Sequence, residues 1–273
     1  MLLGCDFSSA PSKRKPNVIA WGGLRSSVVT LQRFEYCPSL EDTQLALERA
    51  PEWLGGFDLP FGLPRELVET LGWPTDWAAF IAHYHSLSRP AIREAFAGFC
   101  NARPVGGKFA HRATDKFAGS SPSMKWVNPP VAYMLHAGVP VLLRAGATFP
   151  GLQPANTWGS RMALEAYPGM LARECVGSTS YKSDASAKQD ATRLLARKDI
   201  ITRLETGQHS LGVRLRLTHA QRDAVVADGK GDALDALLCL VQAAWAQQQH
   251  AHGHACYGLP ASVDPLEGWI VSA

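Results

Sequence analysis

Apolar residues come in short blocks at the start of the chain, separated by polar turns. Residues 2–7 form such a block and lead into a polar stretch over 8–16 with Lys13, Arg14 and Lys15, which predicts a first strand and its exit. Two more strand-like runs follow, 17–23 with Val18, Ile19, Ala20 and Trp21, and 27–34 with Val28, Val29 and Leu31. The Gly-Gly turn between them is short enough for a hairpin. Ser39 then precedes 40–50, where Leu40, Leu45 and Leu47 mix with Glu41, Asp42, Glu48 and Arg49, the pattern of a capped, half-exposed helix. Residues 53–58 predict a fourth strand, and a strand returning after a crossover helix lies parallel in the same sheet. The opening reads β-β-β-α-β.

The middle breaks this rhythm. A helical stretch over 77–99, a polar Gly-Pro-Ser-rich passage over 101–130 and a helix-like run over 131–143 predict a mainly helical insertion at about 60–159, within one domain spanning 1–273. Residues 161–167 are strand-like again, 188–204 read as a basic helix and 231–248 as a longer helix, before a tail ending on Gly268-Trp269-Ile270-Val271. The expected class is α/β, a mixed five-stranded sheet with flanking helices.

Composition narrows the class further. The 273 residues are 46% hydrophobic and 19% charged, with a mean hydropathy of −0.08, which excludes a disordered or fibrous chain. A net charge of +3 is too mild to announce nucleic acid by itself, so a basic surface has to be local. Six scattered cysteines without a Cys-x-x-Cys pair read as reduced, mostly buried thiols. There is no apolar signal core and no run of about 18 apolar residues, so the expectation is a cytoplasmic protein without a membrane partner. The sequence leaves the oligomeric state open.

Several carboxylates fall where a carboxylate is awkward. Asp6 ends the first strand and Asp58 the fourth, which places both at the carboxyl edge of one sheet, where α/β proteins build sites. The prolines of Leu59-Pro60-Phe61-Gly62-Leu63-Pro64 stop the strand and fix the turn just after Asp58. Turn capping is the plainer account of either Asp alone. Asp232 and Asp235 lie three apart on a helix apolar nearly all round; Asp232 suits a first-turn cap, but a buried Asp235 needs a cation or strong donors. Glu165 sits between Leu164 and Ala166, either at an exposed edge or in a site. Asp6, Asp58, Glu165, Asp232 and Asp235 are hard oxygen donors without a histidine or cysteine cluster, which favours Mg²⁺ or Mn²⁺. Two such ions on shared carboxylates activate water and stabilise the leaving oxygen in phosphodiester hydrolysis.

The strand pattern with Asp on the first strand, an acid ending the fourth and an Asp pair on a late helix resembles the ribonuclease H-like fold, and Asp232-x-x-Asp235-Ala-Leu looks like the last acidic motif of RuvC-type resolvases. More closely, Gly4-Cys5-Asp6, Gly56-Phe57-Asp58-Leu59-Pro60, Glu165-Ala166-Tyr167-Pro168, Ser180-Tyr181-Lys182, Asp232-Ala233-Leu234-Asp235-Ala236 and Glu267-Gly268-Trp269-Ile270 resemble the family called domain of unknown function 429. Arg112-Ala113-Thr114-Asp115 and Val127-Asn128-Pro129-Pro130 inside the insertion belong to the same resemblance, which spans nearly the whole chain. It implies a ribonuclease H-like nuclease in which Asp6, Asp58 and Asp235 hold the metals, with Glu165 and Asp232 as further catalytic candidates. Arg112, Asp115, Lys182 and Asn128 then stand as candidates for the substrate side.

Nucleic acid is the expected substrate. Residues 101–130 carry five basic residues, Arg103, Lys108, Arg112, Lys116 and Lys125, against Asp115 alone, with Phe109, Phe117 and Trp126 among them. Residues 182–203 add six basic residues against three acidic ones. A solvated polar loop accounts for the first stretch equally well. His250, His252, His254 and Cys256 alternate, but their Gln, Ala and Gly neighbours read as a flexible tail. Two rival functions stand beside the nuclease. One is a non-catalytic binder of nucleotide or nucleic acid; the other is an ATP-dependent phosphotransferase of the actin-like superfamily, disfavoured because no second Asp-x-Gly phosphate loop is present.

Overall fold

The computed structural model describes residues 1–273. The chain opens with β1 (Leu2–Asp6), β2 (Asn17–Arg25) and β3 (Val28–Cys37), crosses through α1 (Leu40–Arg49) and returns in β4 (Trp53–Asp58). Ser39 caps α1 by accepting the Asp42 amide at 3.0 Å. Five helices then separate β4 from the next strand: α2 (Arg65–Thr70), α3 (Trp77–Ser86), α4 (Arg89–Asn101), α5 (Ala113–Ala118) and α6 (Val131–Arg144). The helical stretch expected as one piece over 77–99 is two helices. Ser88 starts a new cap on the Ala91 amide and Pro90 lacks the N–H that a continuous helix would need.

The remainder comprises β5 (Arg161–Glu165), α7 (Pro168–Val176), α8 (Ala191–Thr206), β6 (Arg214–Arg216), α9 (His219–Ala227) and α10 (Asp232–Ala251). The sheet has six strands in the order β5-β4-β1-β2-β3-β6, one more than the five expected. The additional strand, β6, is three residues long and buries only Leu215 between two arginines, too short to leave a period in the sequence. It pairs parallel to β3, while β1, β4 and β5 are mutually parallel, so β2 alone runs against the others. No helix is long and apolar enough to cross a membrane.

Strand alternation divides the core into two layers. Leu3, Cys5, Ile19, Trp21 and Phe57 face the cluster built with α1 to α4 and α6. Leu2, Val18, Ala20, Leu54 and Leu164 face the cluster built with α7 to α10. On that second face α10 lies directly against β1 and β4. A Cβ on Gly4 would land on the α10 backbone at Ala236 and Leu240, and one on Gly56 would sit 2.6 Å from the Cys239 carbonyl oxygen. Glycine at these two positions lets the helix approach the strands closely.

Candidate metal centre

The close approach at Gly4 and Gly56 positions the acids. With a period of two, the next residues on the same face are Asp6 and Asp58, which are register partners at the ends of the parallel strands β1 and β4. There α10 has just begun, and its first turn presents Asp235. One carboxylate oxygen from each of Asp6, Asp58 and Asp235 lies within 4.8 Å of the others. The hydrogen bonds to this group all reach Asp235: Tyr181 Oη donates to its Oδ1 at 2.5 Å, and Lys182 Nζ contacts its Oδ2. Asp6 and Asp58 have no protein donor.

Burial, then the charge of Asp235, pushes the carboxyl of Asp6 well above the ordinary range and that of Asp58 up to about 7. Burial followed by Asp235 also raises the Tyr181 phenol, which stays protonated and donates. The raised value at Asp58 has a sign that can be tested. The folded state keeps a proton that the unfolded chain releases, so the stability that Asp58 contributes to the metal-free protein is lost as pH rises from 3.8 to about 7. Below that window the contribution is fully present. In EDTA the thermal midpoint of Asp58→Asn rises relative to that of the unaltered protein across this range; a difference that does not change with pH would place the titration elsewhere.

Asp232 does not join the three. It sits in the first turn of α10, 8% exposed, and burial raises its carboxyl too. It does not cap the helix either, since Asp228 Oδ2 accepts the Ala233 amide at 3.1 Å.

Glu165 points to the other side of the sheet. It pairs with Phe57 and shares a face with Ala163, one residue out of phase with the face of Asp58. There it meets Arg112, whose side chain is 2% exposed. Arg112 Nη1 and Nη2 donate to Glu165 at 2.8 and 2.6 Å, its Nε and Nη2 to Asp115 Oδ1 at 3.2 and 2.8 Å, and Nη1 also to the Glu267 carbonyl at 2.9 Å. Glu165 Oε2 further accepts the Phe61 amide at 3.0 Å. Burial still raises the Glu165 carboxyl, with Arg112 pulling it back. Arg112 and Asp115 are therefore placed in an internal ion cluster that joins the start of α5 to β5 and the C-terminal segment. Every donor of the guanidinium is engaged inside the protein, a bidentate use that arginine suits.

Other expected substrate contacts are scattered. Asn128 is exposed, just before Pro129 at the rim of a cleft. Phe109 and Trp126 pack against the core, 5.5 Å apart between ring centroids, while Phe117 alone is 74% exposed. Arg103 is paired with Glu66, and Arg193 with Asp190. Arg197 turns inward and donates to the Tyr181 carbonyl at 2.7 Å and the Val226 carbonyl at 2.8 Å. His250 stacks on Tyr257 at 4.4 Å, and the aspartate trio is the sole group with metal-ligand spacing.

The cleft has a volume of about 310 Å³ and is lined by Asp58, Lys182, Arg112, Glu165, Tyr167 and Met134 among others, so the trio opens into it through Asp58, beside Lys182, and the Arg112–Glu165 pair lines the same cleft. A larger groove of about 460 Å³ lies between α7 and α8, and none of the trio lines it. Tyr181 is the site residue that residue-by-residue reading misses. Its signal is the Ser180-Tyr181-Lys182 motif, where Lys182 draws attention by charge. Comparisons with family models, curated proteins and solved structures return no match.

Proposed function

We propose that this chain is a metal-dependent phosphodiesterase with a ribonuclease H-like arrangement, acting on nucleic acid. The observation that carries the reading is the convergence of Asp6, Asp58 and Asp235 within 4.8 Å, two of them without any protein donor. Three carboxylates crowded together in this way, one buried and two half-buried, favour a cation among them. The strand order β3-β2-β1-β4-β5 with β2 alone reversed, and the origin of the acids on two parallel strand ends and a late helix, support the same reading. So does the resemblance to the domain of unknown function 429 family.

The donor set is all oxygen, which fits Mg²⁺ or Mn²⁺ and not a thiolate-seeking ion. When bound, such an ion supplies Lewis acidity toward a phosphodiester and lowers the pKa of water. The protein's own groups hold and orient. Asp6 and Asp58 are fixed by their strands, and Tyr181 Oη aligns Asp235 from outside the trio. The Arg112 cluster holds α5 against β5, which sets one wall of the cleft.

A second reading, a non-catalytic binder of nucleotide or nucleic acid, is favoured by one observation: Lys182 already gives Asp235 a cation. Cleavage of labelled single-stranded, double-stranded, hybrid and branched nucleic acids with Mn²⁺, with EDTA, and with folded Asp235→Asn protein separates the two. The expected result is Mn²⁺-dependent cutting that Asp235→Asn lacks. Cutting that persists in the variant overturns the assignment, and binding without cutting moves the conclusion to the second reading.

A further inference from the structure

Lys182 occupies an unusual position. Its ammonium contacts Asp235, the buried member of the trio, and its charge also acts on Asp6 and Asp58. Yet its side chain is 42% exposed and lines the cleft beside Asp58. The backbone beneath it is held on both sides. The Tyr181 carbonyl accepts from Arg197 at 2.7 Å, the Tyr181 side chain is anchored on Asp235, and the Ser183 amide donates to the Gly229 carbonyl at 3.0 Å. Gly231, at φ +78°, leaves room for the lysine stem; a Cβ there would lie 2.8 Å from Lys182 Cβ. The main chain is pinned and the flexible stem is free on its cleft side.

Both Asp235 oxygens already accept, Oδ1 from Tyr181 and Oδ2 from Lys182, so a divalent ion shared by the trio would compete with the lysine charge held at that carboxylate. Two cations at contact distance repel strongly in a partly buried site, so they exclude each other. The lysine side chain is exposed where it lines the cleft, and an anionic ligand there would receive it. We propose that Lys182 is a tethered cation that holds Asp235 in the metal-free protein, gives way when a divalent ion enters the trio, and then contacts the substrate phosphate from the cleft wall. This rests on the metal-site reading above and adds how the site changes between its two states.

The test uses Mn²⁺ and a short labelled single-stranded DNA as separate probes, the latter with Ca²⁺ in place of Mn²⁺. Lys182→Met binds Mn²⁺ about tenfold more tightly than the unaltered protein, since its competitor is gone. The same variant binds the DNA more weakly, and its slope of log affinity against log salt is smaller by about one. A merely structural lysine would weaken both or neither, so the opposite signs are diagnostic. Lys182→Gln, which keeps a donor for Asp235 without the charge, repeats both measurements should Lys182→Met fail to fold, and is expected to shift them in the same directions. Unchanged or weaker Mn²⁺ binding in a folded variant, with the unaltered protein still binding Mn²⁺, overturns the tethered-cation role and leaves the metal site standing. Unchanged DNA affinity and salt slope overturn the phosphate contact. Absence of Mn²⁺ binding in both proteins overturns the metal site and this proposal together.

Discussion

On the proposed metal-site reading, Asp6→Asn is expected to abolish Mn²⁺ binding and to lower metal-dependent hydrolysis at least about a hundredfold, while raising the thermal midpoint of the metal-free protein. The first effect follows from its place in the trio. Asp6 is the register partner of Asp58 and offers an oxygen within 4.8 Å of both other acids, and replacing a direct ligand would remove more than the 10- to 100-fold typical of groups that only support ligands. The second effect follows from burial. The Asp6 carboxyl is held far above its ordinary range by desolvation and by Asp235, so at neutral pH its charge opposes folding, and the near-isosteric amide relieves that opposition. The amide also offers N–H donors to the two carboxylates left beside it. The sign is specific: the gain is present at neutral pH and vanishes in acid, where Asp6 is protonated in folded and unfolded chains alike. Thermal melts in EDTA at several pH values, paired with Mn²⁺ titration, check both parts. A variant that melts lower than the unaltered protein at neutral pH would show that Asp6 is held by a favourable interaction in the metal-free state, and retained Mn²⁺ binding would remove it from the ligand set.

The largest loss of stability is expected at Arg112. Arg112→Met leaves Asp115 and Glu165 buried without their cation, which costs about 3–5 kcal/mol against a typical total of about 5–15 kcal/mol. The variant therefore unfolds at much lower urea concentration. Adding Asp115→Asn and Glu165→Gln removes the stranded charges and recovers a large part of the loss, because a neutral buried network is less demanding than a broken ion cluster. Because Arg112 and Glu165 engage each other and neither supplies an oxygen to the trio, the folded triple variant is expected to keep its Mn²⁺ binding. Should Arg112→Met instead keep its stability and lose affinity for nucleic acid, Arg112 would be the substrate contact that its position in a basic stretch implies.

That contrast marks where reading residues in order stops working. The charge of Arg112, Asp115 and Glu165 is plain in the chain, but Arg112 and Glu165 are 53 residues apart, and nothing local says that one satisfies the other. The side of the sheet taken by Glu165 also hangs on one residue of register in β5, whose five residues are bounded by no clean alternation. Lys182 and Tyr181 stand in a turn whose course is decided by Arg197 on α8 and Gly229 before α10, not by its own residues.

The sequence by itself determined the elements with a strong local signal: the first four strands and α1, from apolar runs, turns and the Ser39 cap, and α10, from a surface apolar nearly all round. It also placed Asp6 and Asp58 at strand ends and Asp235 within a buried helix, because local period and chain direction are properties of neighbouring residues. Tertiary structure alone decided that these three acids meet while Glu165 does not, that Arg112 turns inward, and that Lys182 lies against Asp235. It also decided the pairing of β6, whose three residues become a strand only because β3 offers an edge. These outcomes depend on close approach between distant segments, as Gly4 and Gly56 allow for α10, and on which charge reaches which partner once water is excluded.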